Sequence, residues 1–189
     1  MSEPIQISKT ALRRRMRAVS IEAERRAAAS AAACALIEEQ PVWQKAHSVL
    51  FYAPVPEELD IWPLVVRTLA TGRTVCLPRF DPTAKRYVAC QIRRLSEVLN
   101  GRFGIREPGD QCAVFLLERL DLVLVPGMAF DAQGRRLGRG KGFYDQLLTV
   151  VSGAKCGVSF DEQILPEIPV EPHDVLMDYV VTPTRWIRR

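Results

Sequence analysis

DLVLVPGMAFDAQGRRLGRGKGFYD, residues 121–145, decides how this chain is read. Its first part belongs to an unbroken apolar run, LDLVLV (120–125). The run does not alternate with polar residues, so it reads as a strand buried on both faces. A glycine-rich loop follows over 126–142, and 143–151 then reads as a helix. Glycines at 134, 138, 140 and 142 remove side chains and permit positive φ, so backbone N–H groups can converge on an anion. The loop empties into a helix N-terminus, whose free N–H groups and dipole also favour phosphate. Arg136, Arg139 and Lys141 add charge that can follow phosphoryl groups. Asp145, directly after the aromatic pair Phe143 and Tyr144, is placed to hold magnesium. This is not a Walker loop, because Lys141 is followed by Gly142 rather than Ser or Thr. Nor is it a dinucleotide fingerprint, since Phe143 stands where a third glycine belongs. The residues read as a phosphate-binding loop. The bland alternative, a flexible basic surface turn, accounts poorly for so many glycines between a buried strand and a helix.

Working outward, residues 8–39 are rich in Ala, Leu, Arg and Glu and read as helical. Ser20 is expected to cap a second helix with Glu22 and Glu24 in its first turn, and Pro41 to end the region. Strands are expected at 47–53, 73–77, 86–92, 155–160 and 178–182, a helix at 61–70, and mostly loop over 95–111. Strands alternating with helices predict an α/β fold, a largely parallel sheet between helical layers. Ligands in such sheets sit beyond the carboxyl ends of the strands. That rule points to the loops after Ala53, Leu77, Val125 and Phe160.

Composition sets the outer bounds. A chain of 189 residues, 48% hydrophobic and 25% charged, predicts a single globular domain. No apolar run reaches the roughly 18 residues of a membrane helix, so no membrane partner is expected. The first sixteen residues lack the apolar stretch of a signal peptide, which predicts a cytoplasmic protein. The five cysteines are widely spaced and form no C-x-x-C, so they read as small core residues. The net charge of +4 suits anionic partners without choosing among them.

The stretch RLGRGKGFYD preceded by VPGMAFD resembles the signature of the 5-formyltetrahydrofolate cyclo-ligase family, also called methenyltetrahydrofolate synthetase. Other pieces fall in the family's order: KTALR with Lys9 and Arg13, YAPVPEELD (52–60), LPR (77–79), FGIREP (103–108), PVEPHD (169–174) and VVTP (180–183). The resemblance spans nearly the whole chain and implies a single three-layer α/β/α domain, Rossmann-like. It implies ATP-dependent cyclisation of 5-formyltetrahydrofolate to 5,10-methenyltetrahydrofolate through a phosphorylated, imidate-like intermediate, with release of ADP and phosphate. ATP enters as co-substrate and Mg2+ as cofactor. The folate carries a polyglutamate tail or none, and the protein is expected to act as a monomer.

Residue by residue, the resemblance assigns ATP contacts to Lys9, Arg13, Arg136, Leu137, Gly138, Arg139, Gly140, Lys141, Gly142, Phe143 and Tyr144. It assigns folate contacts to Ala53, Glu58, Arg139, Gly140, Lys141, Gly142 and Phe143, catalytic roles to Arg139 and Lys141, and magnesium to Asp145 and Asp174. Phe143 stands where many family members carry Tyr, and Glu57 where many carry Gly, so either Glu57 or Glu58 is the acid that faces the folate. His47 and His173 form no ligand spacing. Taken alone, Lys9 and Arg13 would be a solvated basic stripe, four residues apart on one helix face. Rival readings are a non-catalytic folate-binding relative, a sugar-phosphate enzyme, and a nucleic-acid module using the Arg-rich N-terminal helix. Against the last, Glu22, Glu24, Glu38 and Glu39 dilute the charge, so no nucleic-acid partner is expected.

Overall fold

Strand β7 (Leu122–Pro126) is the middle of the molecule, and its burial is the reason. Leu122 and Leu124 point into one apolar cluster while Val123 and Val125 point into another, so both faces of the strand are covered. The computed structural model describes residues 8–19, 21–101 and 104–189. Around β7 lie β1 (Ser48–Leu50), β2 (Thr74–Asp81), β3 (Arg86–Ile92), β6 (Val114–Phe115), β10 (Ala154–Val158), β11 (Tyr179–Val181) and β12 (Trp186–Arg188). They form one eight-stranded sheet in the order β12-β11-β10-β7-β1-β2-β3-β6. The five strands from β11 to β2 are parallel; β3, β6 and β12 are added antiparallel at the edges.

Helices cover both faces, giving the expected three layers. On one side lie α2 (Ala23–Glu38), α3 (Pro41–Lys45) and α4 (Trp62–Ala70). The stripe Ser30, Ala33, Cys34, Ile37 of α2 recurs at helical spacing and is buried. On the other side, Leu147 and Leu148 of α5 (Phe143–Leu148) pack with Leu50, Val123 and Val125. A first helix, α1 (Lys9–Arg17), starts at Ser8, whose hydroxyl accepts from the Ala11 N–H at 3.2 Å. Its Leu12 and Met16 bury against Ala129, Leu137, Leu165 and Ile168. All five cysteines are buried and free. Among the described residues no helix is long and apolar enough to cross a membrane.

Several boundaries differ from the sequence reading. Ser20 lies outside the described residues; Glu22 occupies the N-cap position of α2 and only Glu24 is in its first turn. Pro41 opens α3 at its first turn, where a missing N–H costs nothing. Strand β1 stops at Leu50 and the helix after the glycine loop at Leu148, both short of expectation. The 95–111 region contains a small hairpin, β4 (Val98–Asn100) with β5 (Arg106–Pro108). The 126–142 loop also folds a hairpin, β8 (Ala129–Phe130) with β9 (Arg136–Leu137). Its turn is closed by Asp131, fully buried, whose Oδ1 accepts from the N–H groups of Gln133 and Arg135 and Oδ2 from that of Ile168.

Candidate active site

The chain reverses direction across the sheet at β1. From β1 it moves to β2 on one side, and later to β7, β10 and β11 on the other. A crevice opens at the carboxyl ends where such a reversal occurs. The loop after β1 carries Glu58 and the loop after β7 carries Arg139, and these two meet: Arg139 Nη2 lies 3.2 Å from Glu58 Oε1. A cavity of about 520 Å3 sits there, lined among others by Met16, Ile21, Glu58, Met128, Arg139 and Phe160. A wider depression of about 780 Å3 at the opposite pole, beside Lys45, Arg119 and Asp121, holds none of the expected residues.

Glu58 and Glu57 are told apart by burial: the Glu58 side chain is 10% exposed, that of Glu57 72%. The second oxygen of Glu58 accepts the Val55 N–H at 3.2 Å. Burial raises the Glu58 pKa above its ordinary value, against the pull of Arg139. Beneath it, burial and then the Glu58 charge raise the phenol pKa of both Tyr52 and Tyr144. Tyr52 donates its hydroxyl to the Leu59 carbonyl at 2.8 Å, which holds the Glu58 turn from below. Ala53 is buried beside this turn and does not line the cavity.

The basic residues of α1 divide. Lys9 and Arg13 are half-buried and bonded to other parts of the fold, whereas Arg14, Arg15 and Arg17 are exposed, Arg17 at the rim of the cavity. Lys9 Nζ lies 2.5 Å from Asp174 Oδ2 and 3.0 Å from Glu171 Oε2. Arg13 Nε donates to the Gly138 carbonyl at 2.9 Å. The solvated stripe considered from sequence is thus a pair of clamps, one on the 171–174 turn and one on the glycine loop. Gly140 and Gly142 have φ of +95° and +65°, which lets the loop present Lys141 outward and start α5. With six residues, α5 offers a short N-terminus, so the side chains of the loop carry more of its charge than the helix does.

Not every loop residue faces the crevice. Leu137 is fully buried against α1, so its side chain has no route to a nucleotide. Arg136 is turned inward, its Nη2 2.7 Å from Asp145 Oδ1. Phe143 packs edge-on against Phe80 and Tyr87 at centroid distances of 5.7 and 5.4 Å. That aromatic group ties the loop to the β2–β3 hairpin, and sequence reasoning missed it. Phe80 and Tyr87 are cross-strand partners, a pairing legible only once the hairpin register is known.

The acids expected to hold magnesium stand in different surroundings. Burial works to raise the Asp174 pKa, but Lys9, the Glu171 N–H and His173 together hold it below its ordinary value. Glu171, His173 and Asp174 place one ligand atom each within 4.8 Å of one another. Asp145 lies outside that group and has one oxygen on Arg136. Asp174 Oδ2 accepts from Lys9 and the Glu171 N–H, and Asp145 Oδ1 from Arg136; among the described residues the second oxygen of each carries no such bond and is open to a hard cation. Magnesium characteristically takes one or two carboxylates and completes its shell with phosphates and water. Each aspartate thus retains a hard oxygen donor of the kind magnesium takes.

Fold and crevice are those of an α/β protein with a charged, glycine-rich loop at the carboxyl ends of its parallel strands. Comparison with known proteins is specific. A model of the 5-formyltetrahydrofolate cyclo-ligase family matches residues 5–183, and the chain belongs to that family. The 5-formyltetrahydrofolate cyclo-ligase of Escherichia coli (strain K12) is 34% identical over 179 residues, covering 92% of this chain and 97% of its own. That of Mycolicibacterium smegmatis is 36% identical, covering 74% and 75%. The solved 5,10-methenyltetrahydrofolate synthetase of Aquifex aeolicus superposes with a TM-score of 0.86 at 30% identity, covering 95% of this chain and 92% of its own.

Proposed function

We propose that this cyclo-ligase converts 5-formyltetrahydrofolate to 5,10-methenyltetrahydrofolate by phosphorylating the formyl oxygen with ATP. The formyl oxygen attacks the γ-phosphorus and ADP leaves. The folate N10 then attacks the activated carbon, the carbon–oxygen bond breaks, phosphate departs with that oxygen, and the N10 proton is lost. Phosphoryl transfer needs positioning and charge neutralisation more than a protein nucleophile. The cavity is lined by Arg17, Arg26, Arg139, Glu58 and Gly127 and by no cysteine, and the glycine loop that supplies Arg139 also carries Lys141 and leads to Asp145.

The observation that carries the reading is the meeting of Glu58 and Arg139. One is a buried carboxylate suited to the N–H donors on a pterin edge. The other is an exposed cation on the glycine loop, within reach of a phosphate. From α1, Arg13 reaches the same loop and Lys9 the 171–174 turn, and both would contact the nucleotide phosphates, with Lys141 and Arg139 stabilising the transferring group. Asp145 and Asp174 would hold magnesium, which when bound neutralises charge on phosphate oxygens. All these groups come from one chain, so the reading needs no second copy. The inward turn of Lys9 and Arg13 also removes two cations from any nucleic-acid surface on α1.

The test is direct. Purified protein is mixed with 5-formyltetrahydrofolate, ATP and Mg2+, and the methenyl product is followed by near-ultraviolet absorbance. Product that requires both ATP and metal is expected. A folded protein that forms product without ATP, or in excess chelator, would refute the mechanism.

A further inference from the structure

We infer that Arg136 is a positioning residue that fixes the Asp145 carboxylate for a divalent cation and does not itself take a phosphate. The inference rests on the proposed metal role of Asp145 and removes Arg136 from the expected nucleotide contacts.

A guanidinium has five N–H donors in a rigid fork and is always charged, so its surroundings decide what it can bind. The Arg136 side chain is 6% exposed. Nη2 donates to Asp145 Oδ1 at 2.7 Å, a charge-assisted bond, and Nη1 points to the Pro126 carbonyl at 3.4 Å. The Tyr144 ring flanks the group, 5.7 Å from its carbon to the ring centroid. Nε is buried with no hydrogen-bond partner. Two glycines make the slot. A Cβ on Gly138 would stand 3.1 Å from Arg136 Nη1, and one on Gly127 3.2 Å from Arg136 Cγ. Gly138 therefore serves the arginine beneath the loop, a use distinct from close approach of backbone to phosphate.

These contacts separate Arg136 from the other cations of the site. Arg139 is half exposed and can swing; Arg136 would have to leave an enclosed slot and a buried ion pair to touch solvent. Among the described residues, no other side chain pairs with Asp145. Arg136 thereby sets which oxygen is spent inside the protein and leaves Oδ2 as the donor open to a cation. Groups that orient a metal ligand in this way typically change metal affinity by 10- to 100-fold when removed.

The experiment compares wild type, Arg136→Met, Arg136→Lys and Gly138→Ala. Mn2+ binding is read from the loss of its free electron-paramagnetic signal, and ADP binding by equilibrium dialysis in EDTA. The expected result for Arg136→Met is Mn2+ binding weakened about 10- to 100-fold, with metal-free ADP binding within about twofold of wild type. Arg136→Lys should recover part of the loss. Gly138→Ala crowds the guanidinium without removing it, and should weaken Mn2+ binding several-fold even if Arg136→Met does not fold. Unchanged Mn2+ binding with ADP binding weakened in EDTA overturns the inference and makes Arg136 a phosphate ligand. Wild type that binds no Mn2+ overturns the metal role of Asp145 as well, which distinguishes that failure from the first.

Discussion

Replacing Glu58 by Gln separates the function of this carboxylate from its cost. Gln keeps an oxygen for the Val55 N–H and keeps the side chain's size. What goes is the charge. On the binding side, a hydrogen bond to a charged group is worth about 1.5–3 kcal/mol, so loss of one such bond to the folate corresponds to about 10- to 150-fold. The rise should fall mainly on KM for 5-formyltetrahydrofolate, with KM for ATP moving little. On the stability side, the lost ion pair is with a half-exposed Arg139 and is worth only about 0–1 kcal/mol. Against that loss stands relief from burying a carboxylate whose folded pKa is raised by burial. An acid with a raised folded pKa contributes stability that is complete below its ordinary value of 4.5 and is lost as pH rises through the folded pKa. Glu58→Gln should therefore be at least as stable as wild type at neutral pH, by thermal unfolding. The difference should vanish as pH falls toward 4.5. In wild type, kcat/KM should fall on the acid side with an apparent pKa above 4.5, and the variant should lack that limb. A KM within twofold of wild type, or an identical acid limb, would refute the placement of the folate on Glu58.

Two further outcomes follow from the loop and its hairpin. Lys141→Ala should leave the fold intact and lower kcat by about 100- to 1000-fold, the scale of removing one group that stabilises transition-state charge; steady-state kinetics on a variant with native circular dichroism checks this, and a near-normal rate would remove Lys141 from the reaction. Gly134→Ala should destabilise severely, because Gly134 has φ +74° and a Cβ there would stand 2.2 Å from the Met177 carbonyl. A loss of at least about 3 kcal/mol, near 6–12 °C in unfolding temperature for a domain of this size, is expected, and a shift under 2 °C on the thermal curve would contradict the packing.

Sequence made the centre of the fold legible and left its margins dark, for physical reasons. Leu122 to Val125 are apolar at every position because both faces of β7 are covered, and that signal survives without knowledge of the neighbours. Strands β6 and β12 have two and three residues, too few to show a period, and exist because an edge was available to pair with. The glycine loop was visible as a loop, but the β8–β9 hairpin inside it depends on Asp131 gathering three N–H groups, one of them from Ile168 far along the chain. The site shows the same division. Residue types at Lys9, Glu58, Arg139 and Asp174 announced charge, but not who faced whom. Glu57 and Glu58 are adjacent and chemically identical; only the depth of the turn after β1 separates them. Arg136 looked like its neighbour Arg139 until burial distinguished them.

That burial ordering also suggests how a site this charged stands preassembled. Three cation–carboxylate pairs cross it: Lys9 with Asp174, Arg136 with Asp145, and Arg139 with Glu58. Two of them join separate parts of the fold, α1 to the 171–174 turn and the glycine loop to the loop after β1. Without such pairing, the carboxylates and cations would repel their own kind, and burial would penalise each of them. A nucleotide and a metal bring opposite charges of their own, so an exposed pair can exchange partners with little net desolvation. On the proposed reading Arg139, 54% exposed, would be the cation to do so, passing from Glu58 to phosphate as the folate takes the carboxylate. Arg136, enclosed, is the one that should stay. Lys9 lies between them at 11% exposure, held by Asp174 and Glu171. On this reasoning the order of exposure among the three cations is the order in which substrates can recruit them.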